Sequence, residues 1–314
     1  LPFGVLYGQD WAQAWKPLCR PGYDWELLNW ENQMTEFEAG VPTRITECET
    51  PVYRILGRNP GPMTGPGTNS YLIGDKRLVL VDPGPLDEIQ LANFLAAIGE
   101  RRLEWILITH THGDHSPAAM QLKAQTGAEL VGLGPPESGN HDRTFKPDRV
   151  WADGSELDWG EYTVELIHTP GHVSNHICYL LQADQLLFTG DHILQGTTSV
   201  ILPPDGDMGA YFKSLTRLEN RPLKTLAPGH GGVMTDPHTE ITKLIRHRLQ
   251  REHKVLHSLR ALGSVELDSL VLTVYDDVAE HLLPWAKKTL LAHLIKLQQE
   301  KRVRLSGASW EILE

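Results

Sequence analysis

Residues 109–115 read Thr-His-Thr-His-Gly-Asp-His, directly after the apolar run EWILI at 104–108. Imidazole and carboxylate are the donors that borderline divalent metals take, and the lack of Cys in this cluster argues against a closed structural zinc site. The run before it has the length and β-branched content of a strand. Ser116 and Pro117 after it predict a helix start, with Ser as the cap and Pro at the first helical position. A loop at the carboxyl end of a strand, just ahead of a helix, is where α/β sheets hold their ligands.

Working outward, HTPGH (168–172), FTGDH (188–192) and APGH (227–230) each end a strand-like run and carry glycine beside a ligand-type residue. Glycine permits sharp turns and close backbone approach, so side chains from separate loops can converge on one face. If these motifs contribute His172, Asp191 and His230, they join His110, His112, Asp114 and His115 in a set of seven. That is too many for one tetrahedral ion and suits two. Zinc is the expected metal, with iron and manganese compatible with the same donors.

Short apolar runs predict strands at 51–57, 69–74, 77–82, 104–110, 162–168, 176–181, 185–191 and 224–230. Helical spacing lies between some of them: Leu86, Ile89, Phe94 and Ile98; Ala119, Met120 and Lys123; Met208, Tyr211, Leu215 and Leu218. Strands with helices between them indicate a layered α/β or α+β domain. From Asp236 and Pro237 the pattern changes to a long amphipathic run with Ile241, Ile245, Leu249, Leu256, Leu259 and Leu262, stopped by Gly263. A short helix with Leu267, Leu270, Val271 and Val274 follows, then a helix from about Pro284 to Glu300, then a strand pair in VRL and WEIL. Three helices and a ribbon outline a winged helix, and its last helix is expected to expose Lys287, Lys288, His293 and Lys296 as a solvated face.

THTHGDH, HTPGH, FTGDH and APGH, with VDPG at 81–84, resemble the five motifs of the metallo-β-lactamase fold superfamily over about residues 50–235. The resemblance implies a four-layer αββα sandwich, with His110, His112 and His172 on one metal and Asp114, His115 and His230 on the other. Asp191 would bridge the two, and Asp82 would support the ligand loop. Within the superfamily, NPGPMTGPGTNSYLIG (59–74) and the winged-helix-like tail are similar to a β-lactamase-like group that includes a mitochondrial endoribonuclease and many bacterial hydrolases. QGTTSVILPPDGDMGAYFKSL (195–215) is closer to the bacterial branch. The expected organisation is an N-terminal extension (1–50) packed on the sandwich, with Trp11, Trp15, Trp25 and Trp30; the sandwich (51–235); and a winged-helix-like domain (236–314).

The balance of apolar and charged residues is that of a globular chain, and no run approaches the roughly 18 apolar residues of a membrane helix. Without a basic-then-apolar leader, and with Cys19, Cys48 and Cys178 in no CxxC spacing, the expected setting is the cytoplasm. The net charge of −11 is uneven. Residues 241–314 hold 12 Lys and Arg against 9 Asp and Glu, which leaves 17 against 31 in the rest.

The expected activity is that of a hydrolase in which a metal-bridging hydroxide attacks an ester or thioester carbonyl. Asp114 would orient that nucleophile and pass its proton to the leaving group. His176 is similar to a His of thioester-hydrolysing relatives, although a satisfied strand histidine is the favoured reading. RNA is the rival partner: endoribonuclease or phosphodiesterase activity fits the domain pair but not the acidic body. A non-catalytic winged-helix sensor is a further alternative that a complete ligand set disfavours. True β-lactamases typically lack the bridging carboxylate, glyoxalase II enzymes carry different C-terminal helices, and flavodiiron proteins have Glu at the position of His112.

Overall fold

In the computed structural model, which describes residues 38–313, two β-sheets stack face to face. The first holds β1 (Pro42–Arg44), β2 (Val52–Leu56), β3 (Asn69–Ile73), β4 (Arg77–Val81), β5 (Arg102–Leu107) and β6 (Glu129–Val131), in that order across the sheet. It is antiparallel through β4 and parallel from β4 to β6. The second holds β7 (Glu156–Asp158), β8 (Thr163–His168), β9 (Ile177–Leu181), β10 (Leu186–Gly190) and β11 (Thr225–Pro228), with only β10 and β11 parallel.

Both sheets are apolar on both faces because each is covered twice. Val52, Tyr71, Val79 and Leu107 of the first sheet meet Val164, Tyr179, Leu181 and Phe188 of the second in the inner core. On the outer face of the first sheet, Ile55, Leu78, Leu80 and Ile106 pack against α1 (Glu88–Ile98) and α2 (Ala119–Thr126). On the outer face of the second, Ile167, Cys178, Leu180 and Leu187 pack against α3 (Met208–Glu219). This is the expected αββα sandwich.

Three helix faces differ from the spacing read in the sequence. Asp87 caps α1, its carboxylate accepting from Gln90 N at 2.7 Å, so the buried stripe is Leu91, Phe94 and Ile98. Leu86 and Ile89 are exposed. Ser116 does not cap α2: its hydroxyl donates to Asp142 at 2.9 Å, and the helix begins at Ala119 with Ala119 and Leu122 buried and Met120 exposed. In α4 (Pro237–Leu262), whose cap is Asp236 as expected, Leu249 and Leu262 face solvent while Leu244, Arg248, Arg251, Glu252 and Val255 are buried.

The C-terminal part comprises α4, β12 (Val265–Glu266), α5 (Leu267–Val274), α6 (Leu283–Gln299), β13 (Val303–Ser306) and β14 (Ser309–Ile312). Its wing has three strands, because β12 adds to the β13–β14 hairpin. The expected solvated face of α6 is half wrong. His293 is fully buried, its Nδ1 3.2 Å from Glu252, and Lys296 also turns inward onto Glu252 at 2.9 Å. A carboxylate on α4 thus draws an ammonium and an imidazole, the latter with its pKa brought down to about 4 by burial, out of the surface. Lys287 does stay outside, paired with Asp268, and Lys288 lies over the exposed ring of Trp285.

Residues 38–313 belong to one compact unit. The boundary expected near residue 236 falls at the start of a helix that serves two cores. Ile241 and Leu244, with Ala292 of α6, complete the layer outside the second sheet, whereas Val255, Leu256 and Leu259 build the winged-helix core. The tryptophans of the N-terminal extension lie outside the described residues, as does Cys19. Among the described residues no helix is long and apolar enough to cross a membrane.

Burying Ile241 and Leu244 contributes about 3–6 kcal/mol, comparable with a whole domain's margin of about 5–15 kcal/mol. Residues 1–235 expressed alone should therefore aggregate or melt well below the full chain, and a fragment carrying α4 should recover much of the loss. Equal thermal midpoints for 1–235 and the full chain would show instead that the sandwich folds without α4.

Candidate metal centre

The seven ligand-type residues arrive on four loops at the same end of the two sheets. His110, His112, Asp114 and His115 follow β5, His172 follows β8, Asp191 follows β10 and His230 follows β11. Two glycines allow the approach. A Cβ on Gly190 would lie 2.6 Å from the Thr109 hydroxyl and 2.7 Å from His176 Nε2, and Gly190 has φ +47°. A Cβ on Gly229 would lie 2.8 Å from both Asp191 Oδ1 and His115 Cε1. Neither position has room for a side chain.

The donors fall into two groups that share Asp191. In one, His112 Nδ1 lies 3.0 Å from His110 Nε2 and 3.1 Å from His172 Nε2, with Asp191 Oδ2 at 4.0 and 3.7 Å from those two Nε2 atoms. In the other, His115 Nε2 and His230 Nε2 are 3.3 and 3.4 Å from Asp191 Oδ1, and 3.8 and 3.3 Å from Asp114 Oδ2. A tetrahedral ion with bonds of about 2.0–2.1 Å needs donors about 3.3–3.4 Å apart, so both spacings suit one. His115 Nε2, His230 Nε2 and Asp191 Oδ1 are buried without a hydrogen-bond partner among the described residues. Buried polar atoms left in this way are costly unless something polar sits between them. Orphaned atoms of the right chemistry at the right separation fit a pair of divalent cations.

The opposite side of four of the five imidazoles is anchored, which fixes the ring and its tautomer. His115 Nδ1 is held by Asp82 at 2.8 Å, His172 Nδ1 donates to the Val200 carbonyl at 2.6 Å, and His230 Nδ1 faces the Gly67 carbonyl at 3.2 Å. His110 Nδ1 faces the Thr109 hydroxyl at 3.1 Å, and that hydroxyl donates to Asp82 at 2.6 Å. Asp82 also accepts from Thr109 N at 2.8 Å. It adopts φ +47°, a strained conformation for a non-glycine residue. Asp82 therefore does support the ligand loop, as the VDPG motif suggested.

Burial sets the two groups apart electrostatically. It depresses His110 far below the ordinary histidine range, helped by the neighbouring His115 and His112, and brings His112 down to about 3 with the help of His172. Both imidazoles are thus held towards the neutral form that metal binding requires. In the other group burial acts in the same sense but is outweighed. Asp191, Asp114 and Asp82 raise His115, and Asp191 with Asp114 raises His230. Burial alone would raise Asp114, yet the neighbouring His115 and His230 bring it down to about 2. This half of the site is a field that holds positive charge.

Sequence reasoning missed the neighbours of His112. His141 stacks on it with centroids 5.0 Å apart and 20° between the planes, its Nδ1 facing the Thr111 hydroxyl at 2.9 Å and its Nε2 facing Asp205 at 3.1 Å. Asn175 donates to the same Thr111 hydroxyl at 2.9 Å, and Asp205 accepts from the Ser174 hydroxyl at 2.5 Å. These residues come from four loops with no common spacing, so no linear signal marks them. His176 is fully buried, with Nδ1 facing the Thr169 hydroxyl at 2.9 Å and Nε2 without a hydrogen-bond partner among the described residues. It packs on His110 at 5.2 Å and lies outside both donor groups. The Asp114 side chain, 27% exposed, is more accessible than those of Asp191, His110, His115, His172 and His230.

Residues 63–230 match the metallo-beta-lactamase superfamily, and residues 267–310 match the beta-lactamase associated winged helix domain. The chain is 31% identical over 280 residues to the beta-lactamase-like protein 2 homolog of Drosophila melanogaster, covering 85% of this chain and 94% of that protein. It is 29% identical over 265 residues to the atrochrysone carboxyl ACP thioesterase of Aspergillus chevalieri, covering 80% and 82%. Among solved structures, a beta-lactamase domain protein from Burkholderia ambifaria superposes with a TM-score of 0.73 at 18% identity, covering 88% of this chain and 94% of that one. With the sandwich, the winged helix and these matches in agreement, the chain belongs to the metallo-beta-lactamase superfamily of hydrolases.

Proposed function

We propose that this protein is a dinuclear metal-dependent hydrolase of thioesters, with His110, His112 and His172 on one ion, Asp114, His115 and His230 on the other, and Asp191 between them. The observation that carries the reading is that the two oxygens of one buried carboxylate face two separate donor groups. Divalent ions bound there supply Lewis acidity and make water nucleophilic near neutral pH, lowering its pKa from about 15.7 towards 7. Zinc matches the donor set, as do iron and manganese.

The chain's own residues decide which leaving group suits the site. Asp114, at the accessible edge, remains a carboxylate over the working pH range, so it accepts a hydrogen bond from water and orients it. Its carboxyl is almost wholly deprotonated near neutral pH, so at rest it holds no proton to give a leaving alkoxide. A thiolate, whose conjugate acid has a pKa of about 8.5, leaves without that help. This favours thioesters over oxyesters. The Aspergillus relative named as an ACP thioesterase points the same way.

Electrostatics weigh against RNA. Phosphate-backbone binding depends on Lys and Arg contacts, and residues 1–240 carry 17 such residues against 31 acidic ones. Of the four cationic side chains expected on the outer face of α6, His293 and Lys296 are turned into the protein.

Elemental analysis of carefully prepared protein should find about two divalent ions per chain. Asp191→Asn should keep the far-UV circular dichroism and lose metal affinity by about 10–100-fold, with hydrolysis falling in parallel; full metal content and activity in that variant would remove its bridging role. Assayed side by side, a thioester should turn over faster than the oxyester of the same acyl group, with little dependence on salt. Cleavage of single-stranded RNA or bis-p-nitrophenyl phosphate that falls with salt and vanishes in Asp191→Asn, without thioester turnover, would replace this reading with phosphodiester hydrolysis.

A further inference from the structure

Arg248, near the middle of α4, is a guanidinium buried to 3% exposure. Its Nη2 donates to the carbonyl of Ser199, and the group lies over the ring of Tyr211, 5.4 Å from the centroid. Both contacts lead to the metal centre within one residue. Ser199 precedes Val200, whose carbonyl accepts from His172 Nδ1 at 2.6 Å. The Tyr211 hydroxyl donates at 2.9 Å to the carbonyl of His192, the residue after Asp191. The main chain of Tyr211 also lies against Gly171, so closely that a Cβ there would be 2.5 Å from Tyr211 Cα.

We propose that Arg248 is a positioning residue of the metal centre, through which the C-terminal helix holds His172 and Asp191 in ligating geometry; this rests on the metal-site reading above. A guanidinium is an expensive choice for a buried helix face, where an apolar side chain would avoid the desolvation cost. It offers what an apolar residue cannot: a planar donor that fixes a main-chain carbonyl while stacking on an aromatic ring. Lysine supplies the charge without that geometry. The 195–207 segment carries no regular structure and is held between the site on one side and α4 on the other. Its Val200 carbonyl is therefore only as well placed as its neighbours make it. Through this contact the winged-helix unit is part of the catalytic domain's support rather than an appendage.

The test compares wild type, Arg248→Met, Arg248→Lys, Tyr211→Phe and, as a control, Leu256→Ala, which opens space in the winged-helix core away from this segment. Zinc affinity is measured by competition with a chromogenic chelator, and ligand geometry by the visible spectrum of the cobalt(II)-loaded full chain. Arg248→Met should stay folded by circular dichroism, bind its weaker zinc about tenfold less tightly and show an altered cobalt spectrum. Arg248→Lys and Tyr211→Phe should shift both readouts in the same direction by less. Leu256→Ala should lower the melting temperature with affinity and spectrum unchanged. A folded Arg248→Met with wild-type affinity and spectrum would overturn the proposal, as would a Leu256→Ala that moves both readouts equally. If Arg248→Met is insoluble, the lysine and phenylalanine variants decide, and wild-type values in both refute the positioning role. Wild-type protein that binds no zinc or cobalt would remove the metal centre itself, an outcome distinct from variants that bind as tightly as the parent.

Discussion

Asp191 is one carboxylate buried among four imidazoles contributed by loops from both sheets. Bringing so many polar groups out of water in one place is unfavourable unless each finds a partner. The molecule answers on two levels. The rear nitrogens of the rings are tied to Asp82, Val200, Gly67 and Thr109, while the forward atoms converge where cations would neutralise them. Both sheets must be in register for any of this to form, because Gly190 and Gly229 lie against donors from neighbouring loops with no space to spare.

The support of the centre reaches unequal distances into the fold. Asp82 acts from the end of β4, adjacent to β5 in the same sheet, and organises Thr109 and His115 through three hydrogen bonds. The loop carrying His230 is tied to β3: Asn69 donates to the carbonyls of Pro228 and Gly231, and Tyr71 to that of Pro228. The His172 and Asp191 loops are braced from outside the sandwich by α3, and α3 in turn packs on α4. A centre shared by two sheets therefore draws on α3 and α4 as well.

The C-terminal unit shows how one buried charge changes a surface. Glu252, 3% exposed, collects His293 and Lys296, and Arg251 is turned to Asp277 and the Val274 carbonyl. Charges that read in the sequence as a basic outer face instead join the packing between helices. The remaining surface of α6 is correspondingly less suited to a polyanion than its composition suggests.

The sequence by itself determined the seven donor-type residues that converge, the strand runs, the helix start at Asp236 and Pro237 and its stop at Gly263, because motif spacing, apolar periodicity and capping chemistry are local properties of the chain. THTHGDH alone was enough to point to a metal, whereas a role for Asp82 came only from the family resemblance that VDPG helps to carry. Tertiary structure decided the rest. Leu86, Ile89, Leu249 and Leu262 fit a helical stripe yet face solvent, since which side of a helix is covered depends on what packs against it. Ser116 looked like a cap and instead serves Asp142, a residue 26 positions away. His141, Asn175 and Asp205 join the site, and Arg248 reaches its border, only because loops distant in sequence meet at one end of the sandwich. Such convergence is a long-range contact, and no pattern along the chain encodes it.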